Sequence, residues 1–139
     1  NKIKDEKNLE LLKVFVHDAT VPLNEPNIGY DFAYSNLALQ FFNLNNLKKI
    51  FDNISNVLSN ESYFLLSTKK KGDKYYKFGN KIDENAYENK GVTRYFFEEE
   101  DLKKLLEEKF EIIKFDADKH MNLDSTVSEW WKVLVKKRN

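Results

Sequence analysis

Residues 30–42, YDFAYSNLALQFF, decide the fold. Tyr30–Ser35 is short and rich in aromatic residues, as a strand is, and Asn36–Phe42 reads as a brief apolar turn of helix. Asn45 or Asn46 is then expected to cap a helix over 46–58. Its apolar residues Leu47, Ile50, Phe51, Ile54, Val57 and Leu58 fall on one stripe. Ser59 and Asn60 end that helix, and Ser62–Thr68, SYFLLST, reads as the next strand. Strand, helix and strand in this order predict two adjacent parallel strands joined by a crossover helix.

Upstream, Leu12–Val16, LKVFV, predicts a buried strand ending at His17 and Asp18. Residues 19–29 hold both prolines and a glycine and read as a loop, and residues 1–10 as the end of a helix or a loose lead-in. Downstream, residues 69–96 form a long polar connection, of a length that usually serves function. A second helix is expected from about Glu98 to Lys109, with acidic residues in its first turn, where the helix dipole favours them. Its buried stripe is Leu102, Leu105, Leu106 and Phe110. Glu111–Asp118 and Trp130–Lys136 read as strands with no helical pattern between them. An antiparallel pair connected by 119–128 follows.

The chain has 139 residues, the size of one domain, and its 41% hydrophobic and 14% aromatic content suffices for a packed core. Absence of cysteine excludes a disulfide scaffold, a thiolate metal site and a cysteine nucleophile. Lys+Arg and Asp+Glu balance at 23 each, so no global charge draws the chain to nucleic acid. No apolar run is long enough for a membrane helix, and no secretory leader pattern opens the sequence. A cytoplasmic α/β domain is the expectation. Its four glycines are too dispersed for a glycine-rich phosphate loop. His17 and His120 have no metal-ligand spacing, so no metal site is expected.

YDFAYSNLALQFF, the helix ending in VLS and SYFLLST together resemble the central part of class I S-adenosylmethionine-dependent methyltransferases. GVTRYFFEEEDLKKLLEEKFEIIKFDAD, WWKVLVKK and FVHDATVPL resemble further segments of that family in the correct order, so the resemblance spans about residues 12–137. Asn60 and Glu61 stand where the family usually has a Pro-Gly-Gly turn. The resemblance implies a Rossmann-like methyltransferase sheet, mostly parallel with an antiparallel C-terminal strand. The family's glycine-rich loop and the acidic end of its second strand have no counterpart here. The implied object is therefore a single partial domain over 1–139, lacking its first two strands. The N-terminal part of the same domain or a partner chain would complete the sheet.

The resemblance implies S-adenosylmethionine as cofactor and a small-molecule methyl acceptor. Asp18 would accept a hydrogen bond from the adenine amine, and the Ala19 N–H would meet a ring nitrogen. The alternative for Asp18 is a turn cap. Ser35 and Asn36 would lie near the methionine end of the cofactor, or else cap a helix. Tyr75, Tyr76 and Phe78 are candidate acceptor-pocket residues. They stand among six lysines in KKKGDKYYKFGNK, residues 69–81, a pattern that also suits nucleic acid. Arg94 offers a planar fork for a carboxylate or phosphate, or pairs with Glu98–Glu100. The rival functions are a non-catalytic methyltransferase-like partner subunit and a small nucleic-acid-binding module.

Overall fold

A computed structural model describes residues 12–23 and 29–139. The lead-in over 1–10 and the middle of the 19–29 loop lie outside those residues. Strand β1 (Tyr30–Asn36) runs into a 3-10 turn (Leu39–Phe41), then helix α1 (Leu44–Val57) and strand β2 (Leu58–Lys69). Three short strands follow, β3 (Asn80–Asp83), β4 (Ala86–Asn89) and β5 (Val92–Tyr95). Helix α2 (Glu99–Glu107) then leads to β6 (Phe110–Met121) and β7 (Val127–Lys137).

The main sheet has the order β1-β2-β7-β6. β1 and β2 are adjacent and parallel, with Ala33 opposite Phe64 and Asn36 opposite Ser67. α1 is their crossover, as expected from the strand–helix–strand reading. β6 and β7 are antiparallel, also as expected, and β7 inserts antiparallel beside β2. The described sheet is therefore mixed, with one parallel and two antiparallel pairings, rather than mostly parallel.

Four further boundaries differ from the sequence reading. Asn43 caps α1, its side chain accepting from the Asn46 N–H at 2.9 Å. This choice puts Phe42 just before the cap and Leu47 one turn in, and both join the core, as a hydrophobic staple requires. α1 passes into β2 at Leu58 without a connecting Ser59-Asn60 loop. The 119–128 connection shrinks to a tight turn, in which Asn122 N–H donates to the Thr126 carbonyl at 2.8 Å. Leu12–Val16 forms no strand. It pairs with no neighbour among the described residues and is exposed, and a strand exists only where its backbone groups find partners.

One face of the main sheet carries the core. Phe64 and Leu66 of β2 and Val133 and Val135 of β7 are wholly buried against Leu47, Ile50 and Phe51 of α1 and Leu102 and Leu106 of α2. Side chains alternate across a strand, so Phe32, Tyr34 and Tyr63 point to the other face. They are 53%, 63% and 40% exposed. The 69–96 connection contains the antiparallel sheet β3-β4-β5, with a small core of its own from Ala86, Tyr87 and Phe96. That sheet packs through β5 on the 3-10 turn after β1. No helix among the described residues is long and apolar enough to cross a membrane.

Candidate functional site

The end of β1 is held in an unusual conformation. Leu37 has φ 49°, in the left-handed region that side chains other than glycine rarely occupy. Such a residue costs about 1–2 kcal/mol, which its surroundings must offset. Here the Leu37 N–H donates to the Ser67 carbonyl at 3.1 Å and to Ser67 Oγ at 3.0 Å. Ser67 Oγ donates in turn to Asn36 Oδ1 at 2.8 Å. From the other side, Gln40 Nε2 donates to the Leu37 carbonyl at 2.6 Å. Gln40 is only 4% exposed, so this amide is a fixed support. Gln40 Oε1 and Thr68 Oγ1 are buried without a hydrogen-bond partner among the described residues.

Ser35 and Asn36 thus lie where the parallel pair ends, the place at which open α/β sheets bind ligands. A cavity of about 180 Å³ opens there, lined by Tyr34, Asn36, Leu65, Leu66, Ser67, Asp118, Trp130 and Lys132. Sequence reading missed Ser67, Gln40, Asp118, Trp130 and Lys132. Only sheet register assembles them: Asn36 faces Ser67, Ser67 faces Lys132, and Lys69 faces Trp130, which faces Asp118. Whole small-molecule sites usually measure about 300–1,000 Å³, so this cavity is smaller than one.

Asp18 and Ala19 are placed apart from this end. Asp18 Oδ1 accepts from Thr20 N–H at 2.9 Å and from Thr20 Oγ1 at 2.7 Å, and the Asp18 carbonyl accepts from Val21 N–H at 3.0 Å. This is the turn-capping geometry. The Thr20 bonds hold the Asp18 carboxyl below the ordinary aspartate range, so it is ionised at neutral pH. Asn53 Nδ2 donates to the Ala19 carbonyl at 2.9 Å. Asn53 is nine residues into α1, roughly 14 Å along the helix from its start near the end of β1. His17 meets the Val21 carbonyl through Nε2 at 2.7 Å.

The structure separates the three aromatic candidates. Tyr76 packs edge-on against Tyr87 and Phe96, with ring centroids 5.4 Å away in each case, and so belongs to the small sheet's core. Tyr75 instead lies under Arg94, whose guanidinium carbon is 4.2 Å from the ring centroid, and has Phe78 edge-on at 6.1 Å. Phe41 of the 3-10 turn is 5.9 Å from the same guanidinium. Arg94 makes no ion pair among the described residues. Of the three acids offered to it by sequence, Glu98 pairs with Lys71, Glu99 with Lys103, and Glu100 pairs with no residue among those described.

The lysines of 69–81 are largely neutralised. Lys69 pairs with the buried Asp73 at 2.7 Å, Lys70 with Glu129 at 2.8 Å, Lys71 with Glu98 and Lys81 with Glu84. Asp73 also accepts from the Glu129 and Tyr75 N–H groups, which staples the loop to β7. Most of the positive charge seen in the sequence is therefore matched within the fold, which leaves little of it for a phosphate backbone.

No family model and no curated protein sequence matches the chain. Solved structures do. An S-adenosylmethionine-dependent methyltransferase from Methanosarcina mazei superposes with a TM-score of 0.72 at 18% identity, covering 89% of this chain and 66% of that one. Another, from Clostridium acetobutylicum, gives 0.70 at 17% identity, covering 99% and 69%. The 1,6-didemethyltoxoflavin-N1-methyltransferase of Burkholderia thailandensis, solved with 1,6-didemethyltoxoflavin and S-adenosylhomocysteine, gives 0.71 at 15% identity, covering 99% and 56%. The chain has the fold of class I S-adenosylmethionine-dependent methyltransferases and spans about two thirds or less of the length of most of these structures.

Proposed function

We propose that the chain is the acceptor-side part of an S-adenosylmethionine-dependent methyltransferase acting on a small molecule. The observation that carries the reading is the left-handed Leu37 turn, fixed by Ser67 and Gln40 where the parallel pair ends. A fold that holds a strained turn there with a buried amide and a hydroxyl has rigid backbone to present to a ligand.

The residues fit the cofactor's chemistry. Asn36 Oδ1 is engaged by Ser67, and its Nδ2 donates to no group among the described residues, which suits a carboxylate of the methionine end. Ser35 and Asn36 are assigned to that end. Asp18 and Ala19, which form a local turn cap held by Asn53 away from the end of β1, are assigned to the adenine end of the cofactor, with Asp18 Oδ2 not bonded to Thr20. When bound, the cofactor supplies an electrophilic methyl group. This chain's residues would hold donor and acceptor in line and exclude water, the route by which positioning accelerates a displacement. Tyr75, Phe78 and Arg94 are assigned to the acceptor side, and Tyr76 supports them through the small sheet's core. In this reading the edge of β1 not paired with β2 receives further strands of the same domain or of a partner chain, and the Rossmann-like sheet is completed there.

Calorimetric titration with S-adenosylhomocysteine, on the full-length gene product and on this chain, tests the proposal. The full-length protein is expected to bind saturably and this chain weakly or not at all. Asp18→Ala in the full-length protein is expected to weaken binding by roughly 1–3 kcal/mol, the scale for leaving one hydrogen-bond partner unsatisfied. No saturable binding by the full-length protein would sink the reading.

A further inference from the structure

The chain has two arginines, and the structure treats them oppositely. Arg138 is fixed by the backbone, its Nε–H donating to the Phe110 carbonyl at 3.0 Å and to the Glu107 carbonyl at 3.3 Å. Arg94 is half-buried, its guanidinium carbon lies 4.2 Å from the centre of the Tyr75 ring and, among the described residues, its side chain donates no hydrogen bond and forms no ion pair. Aromatic contact orients a guanidinium by its face and leaves its in-plane N–H donors free. A guanidinium removed from much of its water without a counter-charge is a costly arrangement unless an anion completes it.

The surroundings say what else the ligand carries. Phe41, 5.9 Å from the guanidinium, is 47% exposed, and Tyr75 and Phe78 continue the apolar surface. Phe41 is five residues from Asn36, so the two are at most about 18 Å apart along the chain. The 3-10 turn between them shortens that distance. A ligand anchored at Arg94 can therefore extend across Phe41 toward the end of β1.

We infer that Arg94, laid over Tyr75 beside Phe41, is the anion anchor of the acceptor site: the methyl acceptor bears a carboxylate or phosphate on an apolar, ring-like body. The term acceptor rests on the methyltransferase reading, whereas the anion site itself does not. In the full-length protein the side-chain Nε–Hε resonances of Arg94 and Arg138, assigned by through-bond correlation to their own backbone amides, give a direct test, and Arg138 is the internal control. The full-length protein, labelled with nitrogen-15, is titrated with benzoate and phenyl phosphate and with the neutral benzamide and phenol.

The expected result is a saturable shift of the Arg94 resonance with at least one of the anions, Arg138 unmoved, and no saturation with either neutral probe. Raising salt from about 50 mM to about 300 mM should weaken the binding several-fold. Arg94→Met keeps an apolar stem over Tyr75 and should weaken anion binding about tenfold or more. Tighter benzoate assigns a carboxylate, and tighter phenyl phosphate a phosphate. Equal binding of neutral and charged probes, equal movement of both arginines, or no Arg94 shift would overturn the inference. So would undiminished anion binding by folded Arg94→Met. If that variant does not fold, the charged-versus-neutral comparison in the wild type decides alone. S-adenosylhomocysteine binding, measured separately, distinguishes the failures. An intact Arg94 response without cofactor binding defeats the methyltransferase reading only. Cofactor binding without an Arg94 response defeats the anchor only.

Discussion

The two faces of the main sheet were built for different purposes. On one, Phe64, Leu66, Val133 and Val135 are wholly buried under α1 and α2. On the other, the same strands present Phe32, Tyr34 and Tyr63 to solvent and Ser67, Lys132 and Trp130 to a cavity. Burial makes the first face the source of folding energy, at roughly 25 cal/mol for each Å² of apolar surface removed from water. The second face contributes less to stability and carries the Ser67 hydroxyl that bonds Asn36 and Leu37 at the strained end of β1. Period-two alternation thus divides one strand into a buried half and a half that faces solvent and the cavity.

Phe64→Ala should produce the largest effect, about 3–5 kcal/mol of lost stability in denaturant unfolding. Phe32→Ser, on the other face, should change stability by no more than about 0.5 kcal/mol. Comparable losses in the two variants would show that both faces carry the core.

Asp73→Ala comes next. It strands Lys69, whose side chain is 11% exposed, and frees the Glu129 and Tyr75 N–H groups, so a loss of about 3 kcal/mol is expected. Amide exchange should rise across 70–79 more than in β2 if the staple acts on the loop. A uniform rise would assign Asp73 to the whole fold.

A smaller effect is expected at Leu37. Replacement by glycine relieves the φ of 49° and should leave stability within about 1 kcal/mol of wild type, either way. Gln40→Ala should lose more, because it removes the support of the Leu37 carbonyl and leaves a hole in a buried site. If the glycine variant is the worse of the two, the turn is not strained.

Asp18 provides the smallest effect. Its carboxyl titrates below the ordinary range because Thr20 bonds its charged form. Whatever this adds to stability is complete at neutral pH and is lost as pH falls through the lowered midpoint. Thr20→Ala should move that midpoint, followed by carboxyl resonances, back up toward the ordinary value. An unmoved midpoint would mean that the Thr20 bonds do not govern this group.

The legible parts of the sequence were those with a period. The stripe of α1, the aromatic run of β1 and the apolar SYFLLST each encode a burial pattern, and their order encoded the parallel crossover. The β3-β4-β5 sheet escaped notice because its strands have four residues each and β3 is exposed throughout, so no alternation marks it. Leu12–Val16 misled for the opposite reason. It has a strand's composition, but strand formation depends on a neighbour that composition does not specify. Of the two residues that the sequence places after the strand, Asn36 lines the cavity and Ser35 does not. Ser67, Gln40 and Trp130 were not legible, since only register and a left-handed residue bring them together. The basic look of 69–81 is offset by acids both near in sequence, Asp73 and Glu84, and distant, Glu98 and Glu129.

The central claim is that the fixed end of β1 meets the methyl donor. It is tested most directly by titrating the nitrogen-15-labelled full-length protein with S-adenosylhomocysteine while following the Leu37 amide, the Gln40 and Asn36 side-chain amides and the Trp130 indole. The account predicts saturable shifts at Leu37, Asn36 and Gln40 with a single dissociation constant, and little change at Tyr76, which is packed in the small sheet. Saturable binding that leaves Asn36, Leu37 and Gln40 unmoved would contradict it.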